Sequence, residues 1–411
     1  MKQVYVWAIF FAVLLSVSTG CRKKDKTTDD PTTGKAEITK FEIPAYGIQG
    51  NINSSAKEIT FEIPPGVNPT NLMPTITVNA GATPPTNANT AQDFSQDVKY
   101  TVTNGSISNT YIVKATAAAF SDGKNVPQGP SALLLFYGWP SLINGSSGSV
   151  SAAISEFKKF DPIVLGAGLE LTSHSDHNNT IAIINGLSDK KVYGYIPVDV
   201  GTKEADFITS MDAWKAMGVK GIFIDQFDRV SRSAQNSYIQ LVHNKGLSVF
   251  ANGSATAVLG DNGTATALQE GDYYLLESFL VSHGSYTTLQ EFKTNGDLAY
   301  KMMRSKKIRI AVAATLAVNS SSYTPSANSS SDFKYAWCGA AMYNFDAFQF
   351  TEANYSATTS SVYYYPNLSN SYGNTWIEKD WITQESASVY SRSTTLKKIK
   401  IDGSTHAGSV Q

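Results

Sequence analysis

Gly221-Ile222-Phe223-Ile224-Asp225-Gln226-Phe227-Asp228 decides the fold. A half-solvated strand would alternate apolar with polar residues; this run stays apolar until it ends in a carboxylate. It reads as a strand covered on both faces, as in a parallel sheet flanked by helices. Working outward, seven similar runs occupy Leu133–Tyr137, Pro162–Gly166, Lys191–Tyr195, Leu247–Ala251, Tyr273–Glu277, Ile308–Val312 and Ala347–Phe350. Their spacing, about 25 to 35 residues, leaves room for one helix between successive strands. One such helix is well signalled: Ser231 can cap it, Tyr238, Ile239, Leu241 and Val242 make an apolar stripe, and Lys245-Gly246 can end it. Eight units over residues 130–385 make an α/β (β/α)8 TIM barrel the expected fold. An open doubly wound sheet is the alternative. No Gly-x-Gly-x-x-Gly follows the first strand, so neither a dinucleotide site nor any other cofactor is called for.

Active sites of such barrels lie at the C-terminal ends of the strands. Those ends carry Tyr137 and Trp139, Glu170, Tyr195, Asp225 with Asp228, Asn252, Glu277 and Glu352. Four carboxylates round one ring form a concentration, and burying a charge after an apolar run is costly unless it has a partner or a task. Each singly reads equally well as an ion pair or a helix cap. Together, carboxylates in a cleft lined by Tyr and Trp suit hydrolysis of a glycosidic bond. One carboxyl protonates the leaving oxygen while the other, ionised, acts as nucleophile or base. Aromatic rings offer apolar platforms to sugar faces.

The strand-four run Gly221–Asp228, taken with Tyr274-Leu275-Leu276-Glu277-Ser278-Phe279 on strand six, resembles the endo-α-1,4-polygalactosaminidase family, glycoside hydrolase family 114. The resemblance covers the barrel only. It implies Asp225 as nucleophile or electrostatic stabiliser and Glu277 as general acid/base. It does not extend to the first strand or to Glu170-Leu171-Thr172-Ser173-His174-Ser175-Asp176-His177.

That last segment supports a rival. His174, Asp176 and His177, beside Glu170, could ligate a divalent ion and make the protein a metal-dependent hydrolase. With five histidines in the chain, a loop whose His and Asp bind sugar hydroxyls is the preferred reading, so no metal is expected. A capping turn before Asn178 is the plain alternative. Arg229 and Arg232 could bind an acidic substituent but read by default as a solvated helix start. Cys338 reads as a buried thiol, and no Gly-x-Ser-x-Gly elbow suggests a serine hydrolase. Tyr363, Tyr364, Tyr365, Trp376 and Trp381 read as packing or as a sugar subsite, and residues 386–411 as a C-terminal strand or hairpin tail.

Before the barrel lies a different composition. Residues 36–118 contain short alternating runs, Ala36–Pro44, Glu58–Ile63, Thr75–Val78, Val98–Val102 and Thr110–Ala115, separated by Gly, Pro and Asn. They read as a small all-β sandwich. Ile63-Pro64-Pro65-Gly66, Leu72-Met73-Pro74-Thr75-Ile76 and Asp93-Phe94-Ser95 resemble Ig-like N-terminal modules of Bacteroidetes surface lipoproteins, which implies a spacer or glycan-binding role. Residues 22–35 hold almost nothing to bury and read as a tether. Residues 1–21 combine a charged start, the apolar run Val4–Leu15 and small residues before Gly20-Cys21, which reads as an export signal. The run is too short to span a membrane comfortably. Its end resembles a bacterial lipobox, which implies lipidation of Cys21, a membrane anchor and an outer-membrane lipoprotein. Over all 411 residues, 33 basic side chains oppose 34 acidic ones, with no basic stripe to suggest nucleic acid. The expected partner is a polysaccharide or oligosaccharide.

Overall fold

The computed structural model describes residues 34–63, 69–117, 126–260, 263–283, 285–316, 331–351, 362–374, 376–377 and 382–411. The export signal, Cys21, nearly all of the tether and Glu352 lie outside the described residues.

The N-terminal region is all β. Ile38–Ile43 pairs antiparallel with Ile48–Gln49 on one side and with Thr75–Val78 on the other. A second sheet orders Asn51–Asn53, Glu58–Ile63, Ile107–Ala117 and Val98–Asn104. Alternation decides which residues meet between the sheets. Phe41 of the first packs on Phe61 of the second at 5.5 Å, and Phe94 stands edge-on to Phe61 at 5.2 Å.

The following region contains a nearly closed, parallel, barrel-like α/β sheet. Its strands are β1 (Ser131–Ala132), β2 (Leu134–Phe136), β3 (Ile163–Leu165), β4 (Val192–Pro197), β5 (Gly221–Asp225), β6 (Ser248–Asn252), β7 (Tyr273–Leu276), β8 (Arg309–Thr315) and β9 (Ala347–Thr351). The order round the sheet is β1-β9-β8-β7-β6-β5-β4-β3-β2. Its two edges, β1 and β2, are consecutive in the chain and separated only by Leu133, so the sheet curls round almost onto itself. Among the described residues, seven helices connect or follow the strands: α1 (Val150–Phe157), α2 (His177–Gly186), α3 (Glu204–Ala216), α4 (Arg232–Asn244), α5 (Ala255–Leu259), α6 (Leu289–Lys306) and α7 (Ser331–Met342). Helix α4 follows its sequence signals: Ser231 caps it by accepting from the Ala234 amide at 3.3 Å, and Tyr238, Ile239 and Val242 are buried.

Two cores result from the strand alternation. Outward residues such as Ile222 and Ile224 pack beneath the helices. Inward residues, among them Leu135, Tyr193, Phe223, Phe250 and Leu275, fill the centre. There Phe223 meets Phe250 at 5.2 Å and Phe250 meets Tyr273 at 5.1 Å. The interior is therefore solid, and any site must sit above it, at the mouth.

The expected C-terminal strand or hairpin is a larger element. Thr383–Ser386, Val389–Ser393, Lys398–Asp402 and Ala407–Val410 form a four-stranded antiparallel sheet. It lies against α7 so closely that a Cβ on Gly408 would fall 2.1 Å from the Lys334 carbonyl oxygen. Among the described residues no helix is long and apolar enough to cross a membrane.

Candidate active site

Side chains on a strand share a face at every second position. Leu135, Tyr193, Phe223, Phe250 and Leu275 point inward, so the inward layer above them consists of Tyr137, Tyr195, Asp225, Asn252 and Glu277. Five of the residues chosen from sequence are thereby brought together by period-two geometry. At the end of β9 the inward register falls on Thr351.

The chain turns sharply after three successive strands. Gln226, following Asp225, has φ 58°, and Ser278, following Glu277, has φ 57°. Such left-handed conformations are uncommon outside glycine and cluster where a site demands them. Between them, after Asn252, Gly253 has φ 157° and sits so tightly that a Cβ would lie 2.7 Å from the Asp228 amide nitrogen. Gly253 also accepts from the Tyr274 hydroxyl at 2.8 Å, which holds the β6 turn against β7.

Three donors converge on Asp225. Its Oδ1 accepts from the Gln226 amide at 2.7 Å and from Asn252 Nδ2 at 3.0 Å, and its Oδ2 accepts from the Tyr195 hydroxyl. Tyr195 is held by an edge-on contact with Tyr137 at 5.3 Å and by stacking on Phe223 at 5.6 Å. Burial, then the bond to Asp225, push its phenol well above the usual range. Asn252, 7% exposed, also donates from the same nitrogen to Glu277 Oε2 at 3.1 Å. One amide thus bridges the two carboxylates, whose bonded oxygens stand no farther apart than about 6.1 Å, the sum of the two bonds. Glu277 itself is exposed.

A cavity of about 690 Å³ opens beside this pair over the ends of β5, β6 and β7. Asp228 lines it from the turn after β5, where its Oδ2 accepts from the Ser254 amide at 3.1 Å. Arg229 lines it too, whereas Arg232 does not. The Arg232 guanidinium is buried and donates to the Val258, Ala257 and Gly260 carbonyls at 2.6, 2.9 and 3.0 Å, closing the end of α5. Among the wall residues that escaped the sequence reading are Glu291 and Asn295 of α6. Thr288-Leu289-Gln290-Glu291 is legible as a capping box, and Glu291 does accept from the Thr288 amide at 2.8 Å. Nothing in the sequence tells that this helix start faces the cavity.

The residues chosen near β2 and β3 behave differently. Asp176 is corrected: it does not reach the cleft. It is 2% exposed, and its carboxylate accepts from the Ser141 amide at 3.0 Å, the Ser141 hydroxyl at 2.6 Å and Asn179 at 2.9 Å. It is the structural clamp between the turn after β2 and the start of α2. His177 is engaged through Nδ1 with the Leu169 carbonyl at 2.8 Å, and His174 Nδ1 accepts from the Asp176 amide at 3.1 Å. The rival metal cluster of His174, Asp176 and His177 is therefore not assembled, and among the described residues no group of three His, Cys, Asp or Glu is placed to hold an ion. Glu170 is 8% exposed, and among the described residues its Oε2 has no hydrogen-bond partner; burial raises its carboxyl above the usual range. Trp139 stands out on the rim, its ring 5.4 Å from that of His174. Cys338 is a buried free thiol, and burial drives its pKa upward.

Residues 38–115 match the family model described as SGBP, N-terminal. This region is thus similar to the N-terminal module of Bacteroidetes cell-surface glycan-binding proteins. The match stops short of the barrel-like sheet. No curated protein matches the chain. Among solved structures, a candidate glycoside hydrolase of Bacteroides thetaiotaomicron is 24% identical over 25% of this chain and 30% of its own, with a TM-score of 0.21. A DUF4623 family protein of Bacteroides eggerthii is 16% identical over 24% of this chain and 23% of its own, with a TM-score of 0.19. The enoyl reductase domain of MlnA from Bacillus amyloliquefaciens is 17% identical over 54% of this chain and 52% of its own, with a TM-score of 0.34. The chain thus spans between about a quarter and a half of the length of these three structures.

Proposed function

We propose that the chain is an exported surface lipoprotein, anchored through Cys21, whose (β/α)8 barrel cleaves glycosidic bonds of an extracellular polysaccharide. The observation that carries this reading is the Asn252 bridge, which keeps the Asp225 and Glu277 oxygens within about 6.1 Å of each other. The bridge keeps both carboxyls in one cleft, as retaining glycosidases, at ~5–5.5 Å, and inverting ones, at ~6.5–9.5 Å, both require. Asp225, an acceptor for three donors, suits the nucleophile. Glu277, exposed at the cavity edge with a single described donor, suits the acid that protonates the leaving oxygen and then, as base, activates water. Tyr195, backed by Tyr137, and Asn252 act on the carboxylates, while Asp228, on the cavity wall, meets the sugar. Asp225, Asp228, Glu277 and Glu291 line the cavity against Arg229 alone, a balance that disfavours polyanionic glycans.

A second reading has its own observation. The glycan-binding character of the N-terminal module favours a barrel that binds sugar chains without cutting them. One experiment separates the two. The chain is incubated with a panel of polysaccharides that includes galactosaminogalactan-type polymers, with and without EDTA, beside Asp225→Asn and Glu277→Gln. Cleavage lost in both variants and indifferent to chelator is the expected result, and the anomeric configuration by NMR tells retention from inversion. Binding without turnover by the wild type establishes the second reading instead.

A further inference from the structure

We propose that Trp139 and His174 form a second sugar-binding position, a stacking platform on the rim for a pyranose unit of the same glycan chain; it rests on the glycan-cleaving reading of the barrel. Trp139 is 47% exposed; Leu142, whose amide donates to the Trp139 carbonyl, and Leu171, whose carbonyl accepts from the His174 amide, are exposed too. Exposed apolar side chains scattered singly need no explanation. These are grouped, and they are held still. The Asp176 carboxylate takes two hydrogen bonds from Ser141 that bolt the Trp139 turn to the start of α2, and a third from Asn179 within that helix. The same residue's amide donates to His174 Nδ1, which leaves Nε2 to carry the ring N–H. A buried carboxylate is expensive unless fully partnered. Here it is partnered, and what it fixes is an indole left open to solvent. A rigid aromatic face next to an N–H donor presents the two contacts a sugar ring offers, an apolar C–H face and hydroxyl acceptors, with little ordering left to lose on binding.

The platform is continuous with the carboxylate pair. Tyr137, two residues before Trp139, touches Tyr195, and Tyr195 bonds to Asp225. From β2 to β5 is three strand positions, roughly 14 Å of arc at ~4.8 Å per strand. That exceeds the span of one pyranose, so the chain that touches both places is a polymer.

The test is affinity electrophoresis of the full chain in gels containing galactosaminogalactan-type polymer, galactomannan, xylan or laminarin. It is run in the Glu277→Gln background so that nothing is cut. At least one polymer retards the parent. Adding Trp139→Ala raises the dissociation constant about tenfold, and Trp139→Phe, which keeps a stacking face, raises it about threefold or less. Val200→Ser, at a fully exposed apolar residue off the platform, serves as the matched control and leaves it unchanged. With Glu277 restored, the Trp139→Ala loss falls on KM rather than kcat. An unchanged Tm separates lost stacking from lost structure; if Trp139→Ala lowers the Tm, Trp139→Phe and His174→Ala carry the comparison. Equal retardation of parent and Trp139→Ala overturns the platform while the glycan reading stands. No retardation of the parent by any polymer overturns both.

Discussion

Two arcs of the barrel mouth carry the same kinds of residue and put them to opposite ends. On the β5–β7 arc, Asp225 and Glu277 share one donor beside an open cavity. On the β2–β3 arc, Asp176 and Glu170 are buried, the first saturated with hydrogen bonds and the second with an oxygen lacking any. A carboxylate that follows an apolar strand is thus not a catalytic signal by itself. What separates the arcs is register: Asp225 and Glu277 continue the inward alternation of their strands, whereas Glu170 and Asp176 lie on the loop beyond β3, outside any alternation.

The comparison breaks most directly at the proposed catalytic pair. Asp225→Asn and Glu277→Gln each lower kcat/KM by about a thousandfold or more, some 4 kcal/mol of transition-state stabilisation, with Tm within about 2 °C of the wild type. A comparable loss of Tm in either variant would place them with the structural carboxylates. Asp176→Ala inverts that signature. Removing a buried acceptor of three bonds costs about 2–4 kcal/mol in urea unfolding. A variant as stable as the parent would deny the clamp.

The shared donor sharpens the comparison within the β5–β7 arc. Asn252→Ala lowers kcat by about 10- to 100-fold. Asn252→Asp adds a third carboxyl beside two others, and like charges disfavour ionisation, so the acid limb of the kcat/KM profile moves to higher pH. An unmoved limb would make Asn252 a packing residue. The smallest effect belongs to Glu170. Burial raises its carboxyl in the folded protein, so the folded state retains a proton that the unfolded chain has already released. Wild-type stability is therefore lost as pH rises from the ordinary glutamate value through the raised one. Glu170→Gln escapes that loss and melts about 2–4 °C higher at pH 7, the gain vanishing near pH 4. An equal or lower Tm at pH 7 would show that the unpartnered oxygen is met by something in the folded protein.

Much of this was legible in the chain. The strand runs are located to within a few residues because a strand buried on both faces must be continuously apolar, and Ser231 marks its helix because an orphan amide needs an acceptor. Tyr137, Tyr195, Asp225, Asn252 and Glu277 were recoverable from strand ends plus alternation. Asp176 was misread because His-Ser-Asp-His looks alike as a ligand set, a sugar-binding loop or a helix cap. The choice was made by Ser141, 35 residues earlier. The cavity wall on α6 was hidden for the same reason, since a capping box satisfies its own helix end whatever it faces.

By itself, then, the sequence determined the all-β beginning, the repeating parallel strands and the residues at their ends, because these depend on local periodicity and on the cost of burying polar groups. Only the tertiary structure decided which carboxylates meet. Asn252 bonds to residues 27 positions before it and 25 after it. That bridge exists because the curled sheet sets β6 between β5 and β7, with all three strands running the same way.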